Sequence, residues 1–163
     1  MGEALLKRRL GERGIDSRVK SAGLMPGGSP ATDPAIEVMA AVGLDISRHR
    51  SRQITEAVVG LADLVVTMTR QHLIELTLMA PDAWPRMFQI RDLVRRAQPV
   101  GPRPPEQSFE EWLEKVGDGR TRSGILAASL SDDIADPIGQ SDAVYERTRD
   151  ELDELLTRLA ELL

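Results

Sequence analysis

Apolar positions recur at two different periods along this chain, and the change of period marks its elements. From Gly2 to Gly14, Ala4, Leu5, Leu10 and the stem of Arg9 fall near helical spacing while Lys7, Arg8, Glu12 and Arg13 face water. That pattern predicts a helix with Gly14 as its C-cap. Asp16 to Ala22 alternates as a short strand, and the Gly- and Pro-rich run from Gly23 to Pro34 reads as a loop. Asp33 is then the expected cap of a helix whose first turn holds Pro34 and whose apolar face is Ile36, Val38, Met39 and Val42, ended by Gly43. Leu44 to Gln53 is a basic connector and Thr55 to Leu61 a short helix. Ala62 to Thr69 carries the clearest strand signal, because Leu64-Val65-Val66 is an apolar run of the kind found in a parallel sheet covered on both faces.

Helical spacing returns from Arg70 to Met79 and stops at Pro81; Arg86 to Ile90 is a further strand, followed by a short helix over Asp92 to Ala97. Pro99 to Pro105 is a Pro-rich break. Phe109, Trp112, Leu113 and Val116 then share one side of a short helix, where aromatics either seal the helix onto the core or line a ligand site. Gly117 to Ser123 is a polar loop, and the stretch to Ile134 follows neither period. Ser141 is a good N-cap for the last helix, whose face is Val144, Thr148, Leu152, Leu155, Leu156, Leu159 and Leu163. That face needs a partner, and a sheet is the natural one. Strand and helix segments alternate, so the expected architecture is α/β: three layers, with a mainly parallel sheet flanked by helices. Internal repeats and low-complexity tracts are absent from the sequence.

Composition narrows the chemistry. A length of 163 residues suits one domain, 1–163, with a substantial core. Twenty-one basic against 26 acidic side chains give a formal charge of −5, which argues against a nucleic-acid or anionic-membrane binder. No apolar run approaches bilayer length and Met1 to Lys7 lacks the layout of a signal peptide, so a cytoplasmic protein is the expectation. The sequence has no cysteine, which excludes disulfides, thiolate metal sites and thiol catalysis by these residues. With only two histidines, His49 and His72, a zinc site is not expected, and no cofactor is expected.

Two local features carry candidate chemistry. Arg48, Arg50 and Arg52 could form an anion-binding patch or simply a solvated edge. Asp136-Pro137, in the loop before the last helix, is an ordinary turn dipeptide, but a carboxylate held there could also serve as a general acid.

Several segments, in order, resemble the low molecular weight protein tyrosine phosphatase family. They are MGEALLKRRL at Met1 to Leu10, SRVKSAGL at Ser17 to Leu24, GLDISRHRSRQIT at Gly43 to Thr55, ADLVVTMTRQHLIEL at Ala62 to Leu76 and ADPIGQSDAVYERTRDEL at Ala135 to Leu152. Between them, Val100 to Ala135 falls in a region that varies across the family. The resemblance implies a four-stranded parallel sheet in the order 2-1-3-4. It also implies a loop of Cys, five residues and Arg whose amides and thiolate carry out phosphate monoester hydrolysis through a cysteinyl phosphate. By the same resemblance Asp136 matches the general acid and later general base, Pro137 fixes its backbone, and Ser21 and His49 match positions that brace the phosphate loop. The alternatives are that Ser21 simply closes a strand and that His49 is exposed in its basic loop. The implied partners are a phosphotyrosine protein or a small aryl phosphate.

The sequence departs from that family pattern at two places. Ile138 and Gly139 stand where family members often have aromatics lining the phosphotyrosine slot. On the family pattern Met1 falls immediately after the phosphate loop, so the expectation is an N-terminally incomplete domain. It would lack the first strand, the nucleophilic Cys and its Arg, through a late-assigned start, a truncation or a real loss. Such a chain is expected to be inactive, with two open sheet edges that a homodimer could pair. The alternative is a pseudophosphatase acting as a binding or regulatory protein.

Overall fold

The structure, a computed structural model, describes residues 1–127 and 130–163. In chain order the helices are α1 (Gly2–Glu12), α2 (Asp33–Ala40), α3 (Glu56–Gly60), α4 (Arg70–Met79), α5 (Ile90–Val100), α6 (Phe109–Val116), α7 (Gly124–Ala127) and α8 (Asp142–Leu162), with strands β1 (Val65–Thr67) and β2 (Met87–Gln89). They fall into two compact units. One comprises Met1–Ile54 and Ala135–Ala160, the other Thr55–Ile134 and Glu161–Leu163.

The second unit holds the sheet. β1 and β2 pair in parallel, with Val65 opposite Met87, Val66 opposite Phe88 and Thr67 opposite Gln89. Met87 and Phe88 are fully buried, and helices α4 and α5 follow the two strands, as a parallel pair covered by helices requires. The architecture is therefore α/β with a parallel sheet flanked by helices. Both strands are shorter than the sequence pattern suggests. Arg86 explains one end: its Nε donates to the Ala62 carbonyl at 2.7 Å and its guanidinium to Gly60 at 3.1 Å, so the approach to β1 is held by a side chain instead of a ladder.

Helices α4 and α6 of this unit start where side chains satisfy free amides. Thr69 accepts from the His72 amide at 3.2 Å, and Asp133 accepts from the Arg70 amide at 2.6 Å and from the buried Gln89 side chain at 2.9 Å. Ser108 and Glu111 form a reciprocal capping box at the start of α6. α5 runs further than the spacing predicts, through Pro99 to Val100. Pro99 lies in its last turn, where it forgoes one backbone bond and the helix ends directly after, and Gly101 at φ 82° returns its amide to Ala97 at 2.9 Å. The stretch before Ile134, without a clear period in the sequence, contains α7 and a 3-10 turn at Leu130–Asp132.

The aromatics of this unit belong to its core. Trp112 is fully buried, stacks on Phe109 with ring centroids 6.1 Å apart, and donates its indole N–H to Gly101 at 3.1 Å. Arg120 lies over the Phe88 ring at 3.7 Å and the Trp84 ring at 4.2 Å, and donates to the Met87 carbonyl at 2.5 Å. Burial lowers its pKa to about 10, opposed by Asp92 at 3.9 Å. The polar loop after α6 is thereby pinned at a position that its composition does not reveal.

The first unit contains no regular strand among the described residues. The strand expected over Asp16–Ala22 is not formed. The Ser21 amide goes to a side chain, the Glu3 carboxylate, and the nearest pairing is an isolated parallel bridge between Gly23 and Gln53. Loop 23–30 and segment 50–54 are instead stitched together: Gly23 N to Arg52 O at 2.8 Å, Ile54 N to Gly23 O at 2.8 Å, and Gly28 N to Ser51 O at 2.9 Å. A Cβ on Gly27 would lie 2.9 Å from the Ser51 carbonyl, so only glycine permits this approach.

α1 ends as the sequence predicts. Gly14 adopts φ 70° and the Ile15 amide returns to Leu10 at 3.0 Å. Its arginines are not merely solvated. Arg8 donates to the Val42 carbonyl at 2.9 Å, and both Arg8 and Arg9 pair with Asp153 of α8. α2 begins one residue away from expectation: Asp33 is its first helical residue and Thr32 precedes it without capping, because the Thr32 hydroxyl is paired with the Tyr145 hydroxyl at 3.2 Å. On α8 the buried positions include Thr148, Leu152, Leu156 and Leu159, as predicted, together with Tyr145. Among the described residues no helix is long and apolar enough to cross a membrane.

Because Trp112 fills the core beneath α6 and satisfies Gly101, Trp112→Ala is expected to cost about 3–5 kcal/mol. Urea unfolding followed by circular dichroism checks this as a lowered midpoint.

Candidate functional site

All four residues singled out in the sequence, Ser21, His49, Asp136 and Pro137, lie in the first unit. Ser21 is half-buried near the end of the irregular segment after α1. Its amide and its hydroxyl both donate to one oxygen of Glu3, at 2.9 and 2.5 Å. Lys7, one turn further along α1, pairs with the other oxygen. The largest single influence on Glu3 is burial, which favours its neutral form, but the hydrogen bonds from Lys7 and Ser21 together outweigh it and lower its pKa to about 2. Glu3 is thus a fixed anion in the first turn of α1, where the helix dipole also favours negative charge.

His49 is half-buried in the loop after α2. Its amide donates to Ile46 at 2.9 Å and its carbonyl accepts from Arg50 at 2.7 Å. Arg50 also donates to the Ser47 carbonyl at 3.3 Å, so one of the three connector arginines is committed to its own loop, while Arg48 and Arg52 are exposed. The exposed Asp45 carboxyl is held below the ordinary range by hydrogen bonds from Ser47.

Asp136 is exposed. Its Oδ1 accepts the Ile138 amide at 3.0 Å, an Asx turn that aims the carboxylate, and Pro137 behind it is buried. The turn closes with the Gln140 amide on the Pro137 carbonyl at 2.9 Å, and Gly139 takes φ 75°. Ile138 projects into solvent at 67% exposure. The Asp-Pro pair forms a turn, and that turn leaves a solvent-facing carboxylate in a set orientation. Among the described residues no hydrogen bond or ion pair joins Ser21, His49 and Asp136 to one another. Glu3 was missed in the sequence. Its only signal was an acidic residue in a first helical turn, which is common at helix starts.

A parallel strand pair flanked by helices defines an α/β scaffold. The chain belongs to the low molecular weight phosphotyrosine protein phosphatase family, whose family model matches residues 1–118. A protein-arginine-phosphatase of Bacillus subtilis is 30% identical over 165 aligned residues, covering 100% of this chain and 87% of that protein. A probable low molecular weight protein-tyrosine-phosphatase, EpsP, of Ralstonia nicotianae is 34% identical over 73% of this chain and 80% of its own length. Among solved structures, a low molecular weight protein tyrosine phosphatase from T. tengcongensis superimposes with a TM-score of 0.74 at 27% identity, covering 99% of this chain and 88% of that one. Asp136 lies beyond the residues matched by the family model but within the alignment to the B. subtilis protein.

The Glu3 site has a defined acid dependence. Its folded-state pKa, about 2, lies below the ordinary 4.5. The stability it contributes is complete above the ordinary value and is lost as pH falls from there through about 2. Glu3→Gln is expected to flatten the fall in unfolding free energy across that window, as measured by denaturant titration at a series of pH values. An unchanged slope would mean that Glu3 is not held as an anion.

Proposed function

We propose that this chain carries the phosphoprotein phosphatase scaffold of its family, with Asp136 in the position of the general acid, and that the 163 residues alone do not turn over phosphate esters. The family reaction passes through a cysteinyl phosphate, and this sequence contains no cysteine to form one. The observation that carries the acid assignment is the Asp136 loop: an exposed carboxylate oriented by the Ile138 amide, with buried Pro137 next to it. In that role the carboxyl would protonate the departing oxygen or nitrogen and, as carboxylate, would then activate the water that releases phosphate. The relatives include a protein-arginine-phosphatase and protein-tyrosine-phosphatases, so phosphoarginine and phosphotyrosine in proteins are the candidate substrate classes.

A second reading is a noncatalytic protein that binds phosphoproteins on the same scaffold. It is favoured by the same absence of cysteine. Binding of a phosphotyrosine or phosphoarginine peptide without turnover would support it.

The 163-residue chain is expected to release no phosphate above background from p-nitrophenyl phosphate or phosphoarginine. An extended chain bearing a family-type strand and Cys-containing loop before Met1 is expected to do so, and Asp136→Asn in that extended chain to lose about a hundredfold to ten-thousandfold in rate. Turnover by the cysteine-free chain would refute the mechanism; full activity of the Asp136→Asn variant would remove Asp136 from it.

A further inference from the structure

The inward face of α8 is not uniformly apolar. Leu152, Leu156 and Leu159 are buried, and one turn before them Thr148 is equally buried at 4% exposure. A threonine inside a helix commonly returns its hydroxyl proton to the carbonyl one turn back. Thr77 does so to Leu73 and Thr157 to Asp153, both at 2.7 Å. Thr148 instead donates out of its helix, across 13 residues, to the carbonyl of Ala135 at 3.4 Å.

Ala135 immediately precedes Asp136. The peptide plane between them carries the Ala135 oxygen at one end and the Asp136 amide at the other, so holding that oxygen sets the rotation with which Asp136 enters its turn. The other freedoms of Asp136 are already limited. Pro137 confines its backbone to extended conformations, and the Ile138 amide engages its carboxylate. We propose that Thr148 is a positioning residue for Asp136, and that its hydroxyl, rather than its volume, orients the peptide bearing the carboxylate. The functional consequence rests on the reading of Asp136 as the general acid; the hold itself does not.

The test uses the chain as it is, with amide hydrogen exchange read at Ile138. Thr148→Val keeps the shape and removes the hydroxyl. It is expected to speed exchange at Ile138 about tenfold, the size of one lost hydrogen bond, while Leu156 in the same helix is unchanged. Thr148→Ser is expected to restore the wild-type rate, and Thr148→Ala serves as a second hydroxyl-free variant should the valine variant not fold. Wild-type exchange in a hydroxyl-free variant, or fast exchange in the serine variant, would overturn the proposal. Since no turnover enters this readout, a loosened Ile138 combined with an Asp136-independent rate in the extended chain would defeat the acid reading alone. The reverse pair of results would defeat the role of Thr148 alone.

Discussion

Backbone amides and carbonyls withdrawn from water must find partners, and a segment without a ladder has to find them on side chains. In the first unit this constraint shapes most of what lies between α1 and α8. Glu3 takes the Ser21 amide, Arg8 supplies the Val42 carbonyl, and Arg149 supplies the Val38 carbonyl at 3.1 Å. In each case a helix lends a charged side chain to a neighbouring loop or helix end. Charge-assisted bonds of this kind are stronger than neutral ones. Asp153 belongs to the same scheme, since its carboxylate serves two arginines of α1 and is held below its ordinary range despite burial acting the other way.

The second unit meets the same constraint with a different material. Its core is built from fully buried Met87, Phe88, Ile90, Leu93 and Trp112 around a short parallel pair. Several polar groups admitted there are paired: Thr67 donates to the Phe88 carbonyl, Gln89 to Asp133, and Arg120 to the Met87 carbonyl while lying over two aromatic rings. Asp132 and Asp133 give the segment before Ile134 its definition, through a two-bond pairing with Arg95 and the bonds to Arg70 and Gln89. Asp132 and Asp133 are thus held by donors that the sequence pattern does not reveal.

The candidate site was partly readable from residues and partly not. Asp136-Pro137 could be picked out because a proline after a carboxylate limits the backbone whatever surrounds it, and the turn is present with its Asx bond. Ser21 was selected by resemblance, yet its partner Glu3 lies 18 residues away and has no local signature. Thr148 could be placed on the inward face of the last helix, but nothing local to it says that its hydroxyl would leave the helix for Ala135. The basic connector shows the same division. Three arginines spaced by two suggest an anion patch, and only the bonds of Arg50 to Ser47 and His49 show that one of them serves its own loop.

Local physics decided where the helices lie. Apolar spacing, Gly14 at a left-handed cap and the proline after Met79 act within a few residues, so α1, α4, α6 and α8 appear close to where the pattern places them. Strand formation was decided by the tertiary structure, because an extended segment becomes a strand only if another backbone lies alongside it. Val65–Thr67 found Met87–Gln89, whereas the alternating residues before Gly23 met the Glu3 side chain and remained unpaired. Electrostatics followed the same rule. The net charge could be counted from the sequence, but a Glu3 held as an anion and an Arg120 buried between rings depend on which groups the fold brings within a few ångströms.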